Sequence, residues 1–378
     1  MASNKTIVTI TSIPTKFESY FMWFIYGFYE LERQGKIKFR LPFALSINNR
    51  YIQGLRRRIC ASDNTTYCLI GNIQKDGKVR QFCIDCADNP SNINSELLAE
   101  VDVYFKMQCL KEYDSRGFIL NSHITLKYLS VNEGDSFKEC CNLQEYKHKI
   151  KPLMVGPRRL GDNLSYQALK SGYENYHSDY LKEATQKVMC YFGNAKGPRT
   201  TNPKQINEYD EAGSLVFFGD KINHPNEKRK IARDILLSLG KKYDARLINE
   251  SNSDTGGEVS HPELVVPLKD FCRHISNFQY NLNISGYRLS IPNRFIESFM
   301  VGTAIVTDRL SVMWYKPFGQ EVVETVTMGY EPTEDVNWNQ FKADLCNLPD
   351  IDKKQIIKEF EAKWEPSVVS QYIIETLI

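Results

Sequence analysis

The sequence carries no excess of either charge. Its 48 Lys and Arg against 46 Asp and Glu leave a net charge of +2. A chain so nearly neutral exerts no global pull on nucleic acid or anionic lipid. It has no long hydrophobic run either. The longest near-apolar stretch, Tyr20 to Tyr29, falls far short of the ~18 residues of a membrane span. Met1 to Thr11 shows neither an apolar h-region nor a small-residue cleavage site, so no export signal is read there. The expectation is a cytoplasmic protein, with peripheral association at a membrane left open. In that compartment the ten cysteines are expected to be reduced. Only Cys83 and Cys86 form a CxxC, Cys140 and Cys141 are adjacent, and Cys60 and Cys68 are irregularly spaced. Structural zinc wants a second pair at comparable spacing, so buried free thiols and no metal are expected. No GxGxxG follows the first strand, which disfavours a dinucleotide. No internal repeat or low-complexity tract is present.

What is there is an ordinary globular composition, 42% hydrophobic and 25% charged. At about 150 residues per domain, 378 residues suggest two to three domains. Thr6–Thr11 reads as a strand, Glu18–Gln34 as a helix and Phe39–Ile47 as a strand. The Lys75–Asp76–Gly77 turn signals a hairpin within Thr66–Asp85. Val101–Met107 and Leu153–Gly156 read as further strands. A second alternation opens at Val188–Gly193. It continues through a strand at Ser214–Gly219, a helix capped by Asn226 and stopped at Gly240, and a strand at Ala245–Ile248. A helix Leu268–Ile275, a strand Tyr280–Ile284, a helix Asn293–Val301 and a strand Thr303–Thr307 follow, then helices to the last residues. Strands alternating with helices imply parallel α/β layers. The alternation breaks near 150–190, so the expected fold class is α/β, two facing Rossmann-like domains with an interdomain cleft. The domains are expected at 1–186 and 187–352. Helices at 353–378 are expected to have the option of packing back on the first domain.

The most informative segment is Phe278 to Asp308. Arg294 and Glu297 lie three apart and share a helix face, while Phe295, Ile296, Phe299 and Met300 form the packing face. The first turn of that helix suits a phosphate, to which Arg288 or Arg294 adds charge-assisted hydrogen bonds. An acid one turn further in suits ribose hydroxyls. The same spacing also fits a plain surface Arg–Glu pair.

The run from Gly286 through Arg294–Phe295–Ile296–Glu297 to Gly302–Thr303–Ala304–Ile305–Val306 resembles the donor-binding segment of GT-B fold glycosyltransferases, and is nearest the exostosin-type pattern. Upstream, Val216–Gly219 with Arg229 and Arg233 on the next helix resembles the earlier strand–Gly–basic helix of the same group. The likeness spans roughly residues 214–308. Leu289 stands eight before Glu297, so the paired-glutamate signature of one large retaining group is missing, and Ile305 stands where a proline is common.

The resemblance implies a GT-B glycosyltransferase, inverting and metal-independent, working in polysaccharide or glycoconjugate assembly. The second domain would hold a nucleotide-sugar as co-substrate, with no cofactor, and the first would hold a glycan or lipid-linked glycan acceptor. Arg288, Arg294, Glu297, Lys221 and Arg229 are the donor-binding candidates. Lys106 and Arg158, after strands of the first domain, are candidates for the cleft. An inverting transfer needs a base beside the acceptor hydroxyl, and Asp85 and Asp88 are the candidates, although Asp85–Pro90 is equally a plain turn. A non-catalytic nucleotide- or glycan-binding protein of the same fold is the alternative. Nucleic acid is not expected as a partner, and the oligomeric state is left open.

Overall fold

The computed structural model describes residues 5–14, 17–42, 67–88, 90, 93–111, 143–177, 183–192, 225–247, 249–251, 258–260, 268–285, 290–310, 312–325 and 336–378. The chain is mixed α/β. Its first half runs β1 (Thr6–Ser12), α1 (Met22–Arg33), β2 (Ile37–Arg40), β3 (Cys68–Lys75), β4 (Lys78–Asp85), α2 (Ser95–Glu100), β5 (Val103–Lys106), β6 (Cys109–Leu110), β7 (Ile150–Pro152) and α3 (Tyr166–His177). The second half runs β8 (Gln186–Phe192), α4 (Pro225–Ser238), β9 (Tyr243–Leu247), β10 (Asn249–Ser251), β11 (Glu258–Ser260), α5 (Leu268–Ile275), β12 (Phe278–Asn283), α6 (Arg294–Phe299), β13 (Ala304–Thr307), β14 (Val312–Met313) and β15 (Val322–Glu324). It closes with α7 (Trp338–Cys346), α8 (Lys353–Lys363) and α9 (Pro366–Leu377).

The first sheet has the order β2-β1-β3-β4-β5-β7. The pattern of strands and helices suggested parallel layers with one hairpin in Thr66–Asp85, and this sheet is mixed. β3 pairs antiparallel with both β1 and β4, while β1–β2, β4–β5 and β5–β7 are parallel. The reversal comes from the two-residue turn Asp76–Gly77, where both residues have positive φ, 51° and 75°. That is the twist a tight hairpin needs, and Asp-Gly is among the few pairs that supply it cheaply. β3 alone therefore runs backwards, and the carboxyl ends of β1, β4, β5 and β7 share one edge. The second sheet has the order β15-β13-β12-β8-β9, with every pair parallel. Its chain starts in the interior at β8, steps out to β9, and returns across β8 to β12. The β8–β12 junction is thus a topological switch point, where α/β sheets open a crevice at their carboxyl ends.

Local expectations were shifted more often than lost. The strand expected at Phe39–Ile47 is Ile37–Arg40, and 43–47 lies outside the described residues. The strand expected at Leu153–Gly156 sits one step earlier, at Ile150–Pro152, and the buried segment after it is not strand. The helix expected to be capped by Asn226 begins at Pro225, since proline suits a first helical position where an N–H has no partner anyway. Elsewhere capping follows the side chains. Asn94 accepts from Leu97 N–H at 3.0 Å, Asn337 from Gln340 N–H at 3.1 Å and Asp352 from Lys354 N–H at 2.9 Å.

α1 is apolar nearly all round because it is covered nearly all round. Met22 to Phe28 and Leu31 are buried. The inner face of the first sheet covers one side, and α9 packs along another. Trp23 Nε1 donates to Trp364 O at 3.0 Å and Ser370 Oγ to Phe24 O at 2.9 Å. Phe24 and Phe28 keep no exposure, each contributing about 1.5–3 kcal/mol by burial. The α1–α9 approach is set by Gly27, where an added Cβ would lie 2.0 Å from Pro366 O. Gly27→Ala is expected to destabilise the protein by about 1–3 kcal/mol, since a backbone carbonyl cannot move aside without displacing its helix. Urea denaturation checks it, with an unchanged midpoint contradicting the close approach.

Candidate functional site

The switch point is lined by arginines. α6 follows β12, and its first residue, Arg294, turns toward the end of β8, where Nη1 donates to Tyr191 O at 2.9 Å. Arg229, buried on α4, reaches the same place from the other side. Its Nη2 and Nε donate to Ile284 O, just past β12, at 2.8 and 3.3 Å. Both guanidinium groups lie on Phe192, the last residue of β8, at 5.6 Å (Arg229) and 5.8 Å (Arg294) from the ring centroid. The ring's negative face partly offsets the desolvation of two cations. Burial, and then repulsion from Arg229 and Arg158, pushes the Arg294 pKa down to about 9, against an opposing pull from Glu297. At neutral pH the group is still charged. An anion placed between these groups would relieve that cost.

Glu297 departs from its expected setting. Its i,i+3 spacing to Arg294 predicted a shared outer face and allowed a surface pair. Instead Glu297 is fully buried, and its partner is Arg158 from the first half of the chain. Oε1 accepts from the Arg158 backbone N–H at 3.1 Å and lies 3.7 Å from Arg158 Nε. Oε2 is buried with no hydrogen-bond partner among the described residues. A buried carboxylate oxygen left unpaired is costly, so this oxygen is poised to accept from a donor. The Arg158 side chain is 58% exposed, with its guanidinium 5.6 Å from the Phe271 ring centroid. Arg158, Arg229, Arg294 and Glu297 are thus brought together beyond the carboxyl ends of β8 and β12.

The other candidates lie elsewhere. Asp85 and Lys106 occupy matched ends of β4 and β5 and bond to each other at 2.8 Å, at 2% and 0% side-chain exposure. Asp85 Oδ2 also accepts from Tyr104 Oη at 2.7 Å and Oδ1 from Ala87 N–H at 2.7 Å. A base must meet the acceptor hydroxyl, and Asp85 is sealed from solvent with both oxygens engaged. That corrects its placement facing the cleft, and with it that of Lys106. Asp88 is exposed on the turn beyond β4. Arg159 pairs with Asp162 at 3.4 Å and Arg233 with Asp234 at 2.9 Å. Lys221, Arg288 and the strand expected at Ser214–Gly219 lie outside the described residues. Cys68, Cys83, Cys86, Cys109, Cys190 and Cys272 are free and buried, and burial raises the pKa of Cys83, Cys86, Cys190 and Cys272. Thiols so placed are inert. Among the described residues, no three His, Cys, Asp or Glu side chains are grouped to hold a metal ion, and no helix is long and apolar enough to cross a membrane.

Two features of the site escaped the sequence. Asp308, just after β13, accepts from Ser285 N–H (3.0 Å), Ser285 Oγ (2.9 Å) and Thr307 Oγ1 (3.0 Å), fixing the turn that follows Ile284. Burial raises its pKa. Buried Asn281 and Asn283 alternate along β12 and bond to Ser298 Oγ and Thr307 Oγ1. Two asparagines at buried positions of a central strand were the available signal. The other feature is Gln108, buried between β5 and β6. It donates to Ile291 O at 2.8 Å and accepts from Ile291 N–H at 2.9 Å. A lone glutamine gives no sequence signal.

Neither a family model nor a curated protein matches the chain.

The Asp85–Lys106 pair generates a test. Lys106→Met leaves a buried carboxylate without its cation and is expected to cost about 3–5 kcal/mol. Asp85→Asn with Lys106→Met removes both charges and should recover most of that. Denaturant melts of the single and double variants decide it, and equal destabilisation of the two would show that the pairing is not the source.

Proposed function

We propose that this protein is a glycosyltransferase that binds a nucleotide-sugar at the β8–β12 crevice and transfers the sugar to a glycan or glycolipid acceptor. The observation that carries the reading is the pair of largely buried arginines, Arg229 and Arg294, sharing the Phe192 ring at a switch point beside the half-satisfied carboxylate of Glu297. Three guanidinium groups and one carboxylate make a local excess of positive charge, which suits a diphosphate. Glu297 Oε2, which can only accept, suits a hydroxyl, and a ribose supplies one.

The GT-B arrangement is part of the same proposal. It is supported by the way segments leaving β5 and β7 meet the segment leaving β12, with Gln108 on Ile291 and Arg158 on Glu297. In this reading charge grows on the leaving diphosphate, and Arg229 and Arg294 stabilise it without reorganising, since their positions are already fixed by carbonyls of β8 and of the turn after β12. The acceptor would approach from the first half, where Asp88 is the remaining candidate base.

A thermal-shift panel of UDP-, GDP-, CMP- and TDP-sugars tests the reading. A ligand at 100 times its Kd stabilises the native state by about 2.7 kcal/mol. One nucleotide family is expected to raise Tm, and no shift across the panel removes the donor assignment. With the stabilising sugar, Arg294→Lys should lower kcat at least tenfold, about 1.4 kcal/mol, because lysine keeps the charge and loses the forked contact. Glu297→Gln should raise the donor KM. Transfer is expected to persist in excess EDTA, and loss of activity that manganese or magnesium restores would contradict metal independence. Binding without transfer or hydrolysis would favour a non-catalytic nucleotide-binding protein.

A further inference from the structure

The segment that carries Arg294 and Glu297 belongs to the second half, yet what holds it belongs to the first. Three contacts converge on residues 290–297. Gln108 makes both amide bonds with the backbone of Ile291, at 2.8 and 2.9 Å. Asn293 Nδ2 donates to Gly156 O at 2.5 Å. The Arg158 N–H donates to Glu297 Oε1 at 3.1 Å. Gln108 itself is located by its neighbours, since Cys109–Leu110 pairs antiparallel with Val312–Met313 and ties the same stretch to the chain beyond β13.

We propose that Gln108 is a positioning residue for the crevice, acting through Ile291 to fix the loop that delivers Arg294 and Glu297, so that the site is complete only with the first half in place. This rests on the nucleotide-binding reading above for its ligand, though not for its geometry. Ile291 is completely buried and Gln108 nearly so. Water therefore cannot replace the two bonds. A side chain that satisfies both the N–H and the C=O of one residue imitates a neighbouring strand, and it sets register as well as contributing stability. Arg294 follows three residues later, where a small rotation of the loop would carry its guanidinium off Tyr191 O and Phe192. Misplacement of about 1 Å is enough to cost a site most of its effect.

The experiment compares the wild type, Gln108→Leu, Asn293→Ala and Gly27→Ala as full-length proteins. Leucine keeps the volume and removes both bonds. Gly27 lies on the α1–α9 contact, makes none of the three contacts with residues 290–297, and controls for loss of global stability. Each protein is titrated calorimetrically with UDP, GDP, CDP and TDP, and amide hydrogen exchange is followed in peptides covering 290–297. Gln108→Leu is expected to weaken the nucleotide on the order of tenfold or more, as two unpaired buried groups imply, and to speed exchange at 290–297 selectively. Gly27→Ala should lower stability with affinity and that local exchange unchanged. Wild-type affinity and exchange in Gln108→Leu overturn the proposal, as does an equal loss in Gly27→Ala. If Gln108→Leu does not fold, Asn293→Ala carries the same test from the less buried side of the loop. If the wild type binds none of the four nucleotides, the nucleotide reading fails. Exchange then decides alone: selective acceleration supports Gln108 as the positioning residue and its absence rejects it.

Discussion

Two guanidinium groups pressed on one phenylalanine ring are held apart only by what each is tied to. Arg294 is anchored to a carbonyl at the end of β8, and Arg229 to a carbonyl just past β12. Those strands are neighbours in a parallel sheet, so both acceptors lie at the same edge. Their mutual repulsion is opposed by these hydrogen bonds. The polar chain behind them follows from the same need. Asp308 braces Ser285, which fixes the Ile284 carbonyl, which holds Arg229. Beside this chain, Glu297 Oε2, Asn281 Oδ1 and Asn283 Oδ1 are buried without a hydrogen-bond partner among the described residues, and buried polar groups left unsatisfied are costly.

Much of the architecture was legible because it is written in local pattern. Asp76–Gly77 specified its hairpin through backbone chirality. The uninterrupted apolar surface of Met22 to Phe28 specified a helix covered on all sides. The glycine-bounded strands around β12 and β13 specified a buried parallel layer. Each signal is carried by residues within a few positions of one another, and the physics that enforces it acts over the same range.

Partnership was not legible, because it is decided across the chain. The i,i+3 spacing tied Glu297 to Arg294, yet its bond goes to Arg158, 139 residues away. Asp85 was read as a cleft residue or part of a plain turn and Lys106 as a cleft residue, and neither was assigned to the other. They meet because β4 and β5 are adjacent and in register, which no inspection of either strand reveals. The pairing of β3 with β1 and the role of Gln108 belong to the same class. Sequence periodicity told which side chains leave the surface of their own element, and tertiary register then told which charges cancel.

The packing of α9 against α1 bears on the order in which the molecule is made. Ser370 Oγ and Phe24 O are bonded across 346 positions, so a helix from near the start of the chain waits for one from near its end. Synthesis proceeds at about 5–20 residues per second. Through all of that interval the aromatic side of α1 has emerged without its cover, and the second sheet gains its last strand, β15, only shortly before α9. The described strands of the second sheet are all present before α9 appears, and α1 is covered only when α9 does. Long-range closure of this kind slows folding through the entropy of the intervening loop, and it exposes Trp23, Phe24 and Tyr26 to the chaperones that patrol nascent chains.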